Sequence, residues 1–317
     1  MASGLIKPKK LKQGDTIGVM NPSSWAEPSY IEKNVDALRG HGYNVVVHPQ
    51  CYERDHGAAG TTQQKIDALH EMFSDPSIDA IFALRGGSRA LHMLDGIDYS
   101  LISRHPKIFI GFSDITVLLS AFYNKANIAT FHGLTAANYA DQGGEESVAH
   151  TLGFLGGNWI KPLWPDKHAE TVRQGDASGV LFGGNLALLM ALAASGENYW
   201  PDMAGKILII EDVGEESRAI DRMLGTLRLR GVLDQIAGLV VGYMTDVRDT
   251  SYIRFDRSVA EIVMEHTAQM KGPVVLNAPI GHEHQNIPFP IGIRARLTAE
   301  TNGGAQLQLM ESPFADA

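Results

Sequence analysis

Lys107-Ile108-Phe109-Ile110-Gly111-Phe112-Ser113-Asp114-Ile115-Thr116-Val117-Leu118-Leu119 decides how the rest of the chain is read. Ile108 to Ile110 is a short apolar run of the kind that forms a buried strand. From Asp114 onward the period lengthens, and Ile115, Leu118, Leu119 and Phe122 fall on one face of a helix. Gly111-Phe112-Ser113 must therefore turn a strand into a helix at once. Such a turn lifts the serine side chain out of the fold and aims the next backbone N–H groups at whatever the serine attacks. One residue departs from the G-x-S-x-G elbow: Ile115 stands where its last glycine belongs. The plainer role for Ser113 is the N-cap of the following helix, a position that serine favours.

Outward from this stretch the same alternation repeats. Thr16 to Asn21 reads as a strand ending in Pro22-Ser23-Ser24, and a helix follows around Tyr30 to Arg39, stopped by Gly40 and Gly42. Val45 to Val47 is β-branched and extended. Thr62 to Phe73 is helical, and Ala80 to Leu84 is a strand ending in Arg85-Gly86-Gly87. Ile128 to Phe131 is a further strand, ending in His132-Gly133. Strands alternating with helices predict an α/β fold built on a doubly wound parallel sheet. In such sheets the active crevice lies at the carboxyl ends of the strands. Asn21-Pro22, Arg85-Gly86-Gly87, Ser113 and His132-Gly133 all fall there.

The length of 317 residues suits two domains, at about 100–200 residues each. Residues 1–155 form the first, 156–176 a linker, and 177–317 the second. The linker region is rich in glycine and proline, with Gly156-Gly157, Pro162 and Pro165, and holds Trp159 and Trp164. Those two read as core or interface anchors before they read as a ligand platform. In the second domain, strands are expected at Val180 to Phe182, Lys206 to Ile210, Leu239 to Gly242 and Pro273 to Leu276. Helices are expected at Arg218 to Leu227 and Arg257 to Gln269. A hairpin is expected over Ile293 to Met310.

Composition excludes several classes. A net charge of −9 argues against a nucleic-acid partner. The single cysteine, Cys51, excludes a disulfide framework and suggests a reducing compartment, hence a cytoplasmic protein. Met1 to Asp15 lacks the apolar core of a secretory signal. The continuous apolar run Leu186 to Ala194 is far shorter than the roughly 20 residues that span a bilayer, so no membrane association is expected.

A serine hydroxyl needs a base, usually a histidine held in one tautomer by a carboxylate. Glu211 directly follows Ile207-Leu208-Ile209-Ile210, and His282 follows a strand and Gly281. The order Ser, Glu, His is one of several on which this geometry is built. Asp212, Glu215 and Glu216 are rivals to Glu211, which could also simply pair with Arg218 or Arg222. His282-Glu283-His284 does not match H-E-x-x-H, and no cysteine cluster accompanies it, so neither a metal nor another cofactor is expected. Gly86 or Gly87 could lend a backbone N–H to an oxyanion hole together with that of Asp114. Asn185, in Gly183-Gly184-Asn185, either bonds a substrate carbonyl or caps the helix it opens.

Taken together, Ala83-Leu84-Arg85-Gly86-Gly87, Gly111 to Thr116, Phe131-His132-Gly133, Gly183-Gly184-Asn185-Leu186, Glu211-Asp212-Val213 with Ile220 to Leu224, and Pro279-Ile280-Gly281-His282 with Pro288 to Gly292 resemble the LD-carboxypeptidases of the serine peptidase class. That group also holds microcin-immunity hydrolases. The segments run in order over nearly the whole chain. The resemblance implies a flavodoxin-like first domain carrying Ser113, a smaller C-terminal β/α domain carrying Glu211 and His282, a site formed between them, and a homodimer. It implies a cytoplasmic serine hydrolase of cell-wall recycling that releases the terminal D-Ala from murein tetrapeptide, with Arg85 binding the substrate carboxylate. An immunity-type hydrolase of aminoacyl-nucleotide amides is the alternative, and it would want Trp159 or Trp164 as a platform for the base. A non-catalytic peptide-binding module is the alternative of another class. In one place the chain departs from the family, whose RGG loop often continues with an aromatic and a further glycine. Here Ser88-Arg89 stand there.

Overall fold

Five parallel strands organise the first half of the chain. The computed structural model describes residues 4–159, 162–164, 169–250, 252–300 and 304–315; Pro165 of the linker and the tip of the C-terminal hairpin lie outside the described residues. In chain order the first elements are β1 (Thr16–Met20), α1 (Pro28–Gly40), β2 (Asn44–Val47), α2 (Thr62–Ser74), β3 (Ala80–Ala83), α3 (Tyr99–Arg104), β4 (Ile108–Gly111), α4 (Thr116–Ala126), β5 (Thr130–His132) and α5 (Glu145–Leu155). The strands lie in the order β5-β4-β3-β1-β2, all parallel. This is the flavodoxin-like winding expected, with its topological switch between β1 and β3. β1, β3, β4 and β5 are almost wholly buried, which is why β3 and β4 read as continuous apolar runs and not as alternating ones. Phe73, Phe109 and Phe122 fill the core beside them, with the Phe109 and Phe122 centroids 5.0 Å apart and edge to face. Each such buried side chain contributes roughly 1.5–3 kcal/mol. Thr61 and Gln64 close a capping box at the start of α2.

The second sheet is built from β6 (Glu170–Arg173), β7 (Gly175–Asn185), β8 (Lys206–Val213), β9 (Gly238–Thr245) and β10 (Val274–Leu276), with helices α6 (Leu186–Ala193), α7 (Ser217–Leu229), α8 (Val232–Gln235) and α9 (Val259–His266) between them. β11 (Phe289–Ile291) leaves this sheet and adds antiparallel to β5 at the edge of the first. β12 (Arg294–Ala299) and β13 (Ala305–Leu309) then return as the antiparallel hairpin expected. The sheet order is β13-β12-β7-β8-β9-β10-β6, with β7 to β10 parallel and both flanks antiparallel.

The chain thus divides into one unit of Met1–Trp159, Pro288–Gly292 and Ser312–Ala317, and another of Ile160–Ile287 and Ile293–Glu311. Among the described residues no helix is long and apolar enough to cross a membrane. One local expectation changes. Gly183 and Gly184 are not a loop but the last turn-free part of β7, paired with Ile209 and Ile210. A Cβ on Gly183 would lie 1.8 Å from the Ile209 carbonyl oxygen, so glycine is demanded here by close backbone approach and not by a turn.

Candidate active site

The first unit supplies the serine. β4 ends at Gly111, and a short 3₁₀ turn over Ser113–Ile115 leads into α4. Ser113 has φ 63°, in the left-handed region that costs a non-glycine residue energy and persists only where its surroundings enforce it. It does not cap a helix: neither the 3₁₀ turn nor α4 has a side-chain cap. The strain is that of an elbow, and Ile115 substitutes for its usual last glycine. A Cβ on Gly111 would come 2.8 Å from the Ile115 side chain, so the small residue that lets strand and helix close up stands on the strand side.

The Arg85-Gly86-Gly87 loop lies directly against this serine. A Cβ on Gly86 would be 2.8 Å from Ser113 Cβ and 3.0 Å from its Oγ. A Cβ on Gly87 would fall 2.2 Å from Ser24 Oγ, and the Ser88 N–H donates to that same oxygen at 3.1 Å. Arg85, half-buried, donates from Nη1 to the Trp25 carbonyl at 3.3 Å. The Arg54 guanidinium sits 4.3 Å from the Trp25 ring centroid, a cation–π contact. Where the family often has a further glycine, Arg89 takes φ 88°. The backbone keeps the shape for which glycine is suited, and an arginine bears the strain.

The second unit brings Glu211 and His282 together. His282 Nδ1 and Glu211 Oε2 are 2.7 Å apart, and the Glu211 side chain is fully buried. β8 runs on through Val213, so Glu211 lies within the strand's last residues and not just beyond it. A register shift between Ile210 and Asp212 interrupts the pairing with β9; bulges of this kind re-aim a side chain next to active sites. Gly281, φ +126°, makes room for the carboxylate, since a Cβ there would meet Glu211 Oε2 at 3.0 Å. The bare backbone at Gly281 therefore serves Glu211, in the same unit. Burial works to lower the His282 pKa, but the hydrogen bond and charge of Glu211, joined by the charges of Asp212 and Glu283, outweigh it and raise the pKa above the ordinary histidine value. With Nδ1–H donating to Glu211, the ring lone pair is on Nε2.

Asp212 has a separate task. It accepts from Asn185 Nδ2 at 2.8 Å, from the Ala187 N–H at 2.9 Å and from its own neighbour Val213 N–H at 2.9 Å. Burial pushes it up to about 6, with those bonds pulling the other way and Glu211 adding to the rise. Asn185 Oδ1 accepts from the Leu188 N–H, so of its two expected roles the helix cap is present. Trp164 is buried, with its indole N–H on the Ala305 carbonyl, and so has the character of a core anchor. Trp159 lines a pocket of about 700 Å³ with Lys9, Asp79 and Lys107, at the amino ends of the first sheet's strands and thus opposite Ser113. It offers no platform beside the serine. Cys51 is buried and its thiol is pushed up by that burial, the reverse of activation. Ser23, Ser24, Trp25 and Arg54 were not singled out from sequence; an aromatic directly after a serine pair at a strand end was the available signal.

The N-terminal domain of LD-carboxypeptidases matches residues 17–133, and their C-terminal domain matches residues 178–297. The chain belongs to the LD-carboxypeptidase family. A probable murein peptide carboxypeptidase of Bacillus subtilis is 34% identical over 312 residues, covering 93% of this chain and 92% of that protein. The murein tetrapeptide carboxypeptidase of Pseudomonas aeruginosa is 31% identical over 291 residues, covering 89% of this chain and 92% of its own. Among solved structures, an MccF-like protein from Bacillus anthracis superposes with a TM-score of 0.84 at 27% identity, covering 96% of this chain and 99% of that one. The family's activity is that of a carboxypeptidase, and the elbow and the Glu–His pair both lie inside the matched domains.

Proposed function

We propose that the protein is a serine carboxypeptidase that releases terminal D-Ala from murein tetrapeptide. The observation that carries this reading is Ser113, held at φ 63° at the end of β4 against a glycine loop, in a chain whose relatives include murein peptide carboxypeptidases. Ser113 Oγ attacks the carbonyl carbon of the L-centre of meso-diaminopimelate, and its proton passes to His282 Nε2. Glu211 holds the ring and stabilises the imidazolium. The N–H groups of Asp114 and of Gly86 or Gly87 take the oxyanion. The C–N bond breaks, His282 returns the proton to the D-Ala amine, and water hydrolyses the ester. Arg85 binds the terminal carboxylate, for which a guanidinium fork offers two parallel bonds; the Asn185 amide is spent on the helix cap and on Asp212.

The substrate test is mass spectrometry on two compounds with the same enzyme. D-Ala release from the tetrapeptide is expected, with none when that end is amidated, and an aminoacyl-sulfamoyl adenosine should survive. Rapid cleavage of the nucleotide with the tetrapeptide untouched would reject this reading in favour of the immunity-type one. A pure binding module would leave both intact and form no acyl-enzyme. A second check is Gly86→Ala. Its methyl would come 2.8 Å from Ser113 Cβ and 3.0 Å from its Oγ, so loop and serine must move apart, and kcat/KM should fall about 10²-fold, the scale of a misplacement of about 1 Å. Near-normal turnover would remove Gly86 from the site.

A further inference from the structure

The residue after the serine has a side chain that no step above uses. Asp114 is 3% exposed, and a buried carboxylate is expensive unless it is bonded. Its Oδ2 accepts from Ser23 Oγ at 2.6 Å and from the Ala90 N–H at 2.9 Å. Ser23 follows β1, Ala90 closes the loop that follows β3, and Asp114 itself follows β4. One oxygen therefore ties together three loops at the carboxyl end of the sheet. Lys65 of α2, 1% exposed, reaches the same place: its Nζ donates to the Arg89 carbonyl at 3.4 Å, and its charge interacts with that of Asp114. The 85–90 loop is thus clamped at Ser88 by Ser24, at Arg89 by Lys65 and at Ala90 by Asp114.

We propose that Asp114 is a positioning residue: its carboxylate sets the distance between the 85–90 loop and the elbow, and so aligns the N–H groups that receive the oxyanion. The inference rests on Ser113 being the nucleophile. Its logic is that one residue governs both halves of the hole. The Asp114 N–H is one donor, and the Asp114 side chain holds the loop that carries the other. Donors act only within about 2.7–3.1 Å of the developing charge, and a displacement of about 1 Å can cost 10²-fold. Gly86 leaves no room for even a Cβ beside Ser113, so a loop released from Asp114 has two ways to fail, by opening the hole or by covering the serine. The clamp joins loops that lie beyond the paired residues of β1, β3 and β4, so the sheet does not depend on it.

The test uses the full chain with Asp114→Ala, Ser23→Ala and the double variant. Three quantities are read: kcat and KM on the tetrapeptide, amide exchange over residues 85–90, and the melting temperature. Asp114→Ala should lower kcat about 10²-fold with KM within threefold and faster exchange in the loop. Ser23→Ala should lower kcat about tenfold, and the double variant should be no worse than Asp114→Ala, because both act on one clamp. A kcat near that of the parent in either single variant overturns the inference, as does a loss of kcat with unchanged loop exchange. If Asp114→Ala does not fold, Ser23→Ala, which removes one oxygen, decides alone by the same criteria. Ser113→Ala and a serine-directed fluorophosphonate separate the two claims. A parent chain unlabelled at Ser113 and as active as Ser113→Ala fails the serine reading itself and the inference with it, whereas a labelled parent and an unimpaired Asp114→Ala fail the inference only.

Discussion

Ser113→Ala should lower kcat by about 10³-fold or more, while the fold and the affinity for the peptide remain. Alanine keeps the Cβ, so the strained φ of 63° is neither relieved nor worsened; only the Oγ is lost. What survives is the activity of a site that still has its oxyanion donors and its binding groups, which in serine hydrolases leaves a residual rate well above that in water. His282→Ala should be comparably damaging, and the double variant hardly worse than either single one, because a nucleophile without its base and a base without its nucleophile are equally idle. Single-turnover kinetics with calorimetric peptide binding distinguish this from misfolding. A Ser113→Ala enzyme with most of its activity would reduce the elbow to a strained turn.

The first sheet was legible because its strands are buried on both faces. Ile108-Phe109-Ile110 and Ala80 to Ala83 carry no alternation to confuse them with amphipathic helix, and each is closed by glycine or proline. Gly111 to Ser113 was legible because a continuous apolar run gave way at once to a helical period, with no room for a loop. Glu211 and His282 were found from their places at strand ends, although 71 residues separate them. What was not legible depends on contacts across the chain. The bond between Ser23 and Asp114 spans 91 residues, and nothing local marks that aspartate as a clamp. β11 contains Pro290, which argues against a strand, and it is tolerated because β11 lies at the sheet edge. Gly183 and Gly184 look like a turn until Ile209 is known to pass 1.8 Å from where a Cβ would be. The bulge in β8 leaves no trace in sequence at all.

Glu211→Gln should cost on the order of 10⁴-fold in kcat, as when a triad's orienting carboxylate becomes an amide, and it should also move the pH profile. The shape of Gln is nearly that of Glu, so the packing around this fully buried side chain is preserved. The charge is not. In the parent protein burial tends to lower the His282 pKa, and the bond to Glu211 and the negative charges around it more than reverse that. The base must be neutral to accept a proton, so kcat/KM rises with pH through an apparent pKa above the ~6.5 of an ordinary histidine. In the amide variant the burial remains and its main opposition is gone, so the acid limb should shift to lower pH even as the plateau falls. The same proton acts on stability with the opposite sign. A histidine raised in the fold contributes fully below the ~6.5 of the unfolded chain, and that contribution is lost as pH rises through the folded value. Glu211→Gln should therefore lose more stability below pH ~6.5 than above the raised value. Rate profiles and melting curves of both proteins across this window test the pair together. An acid limb that stays in place would mean that the titrating group is not His282, and that the 2.7 Å contact with Glu211 orients a ring with no part in the proton transfer.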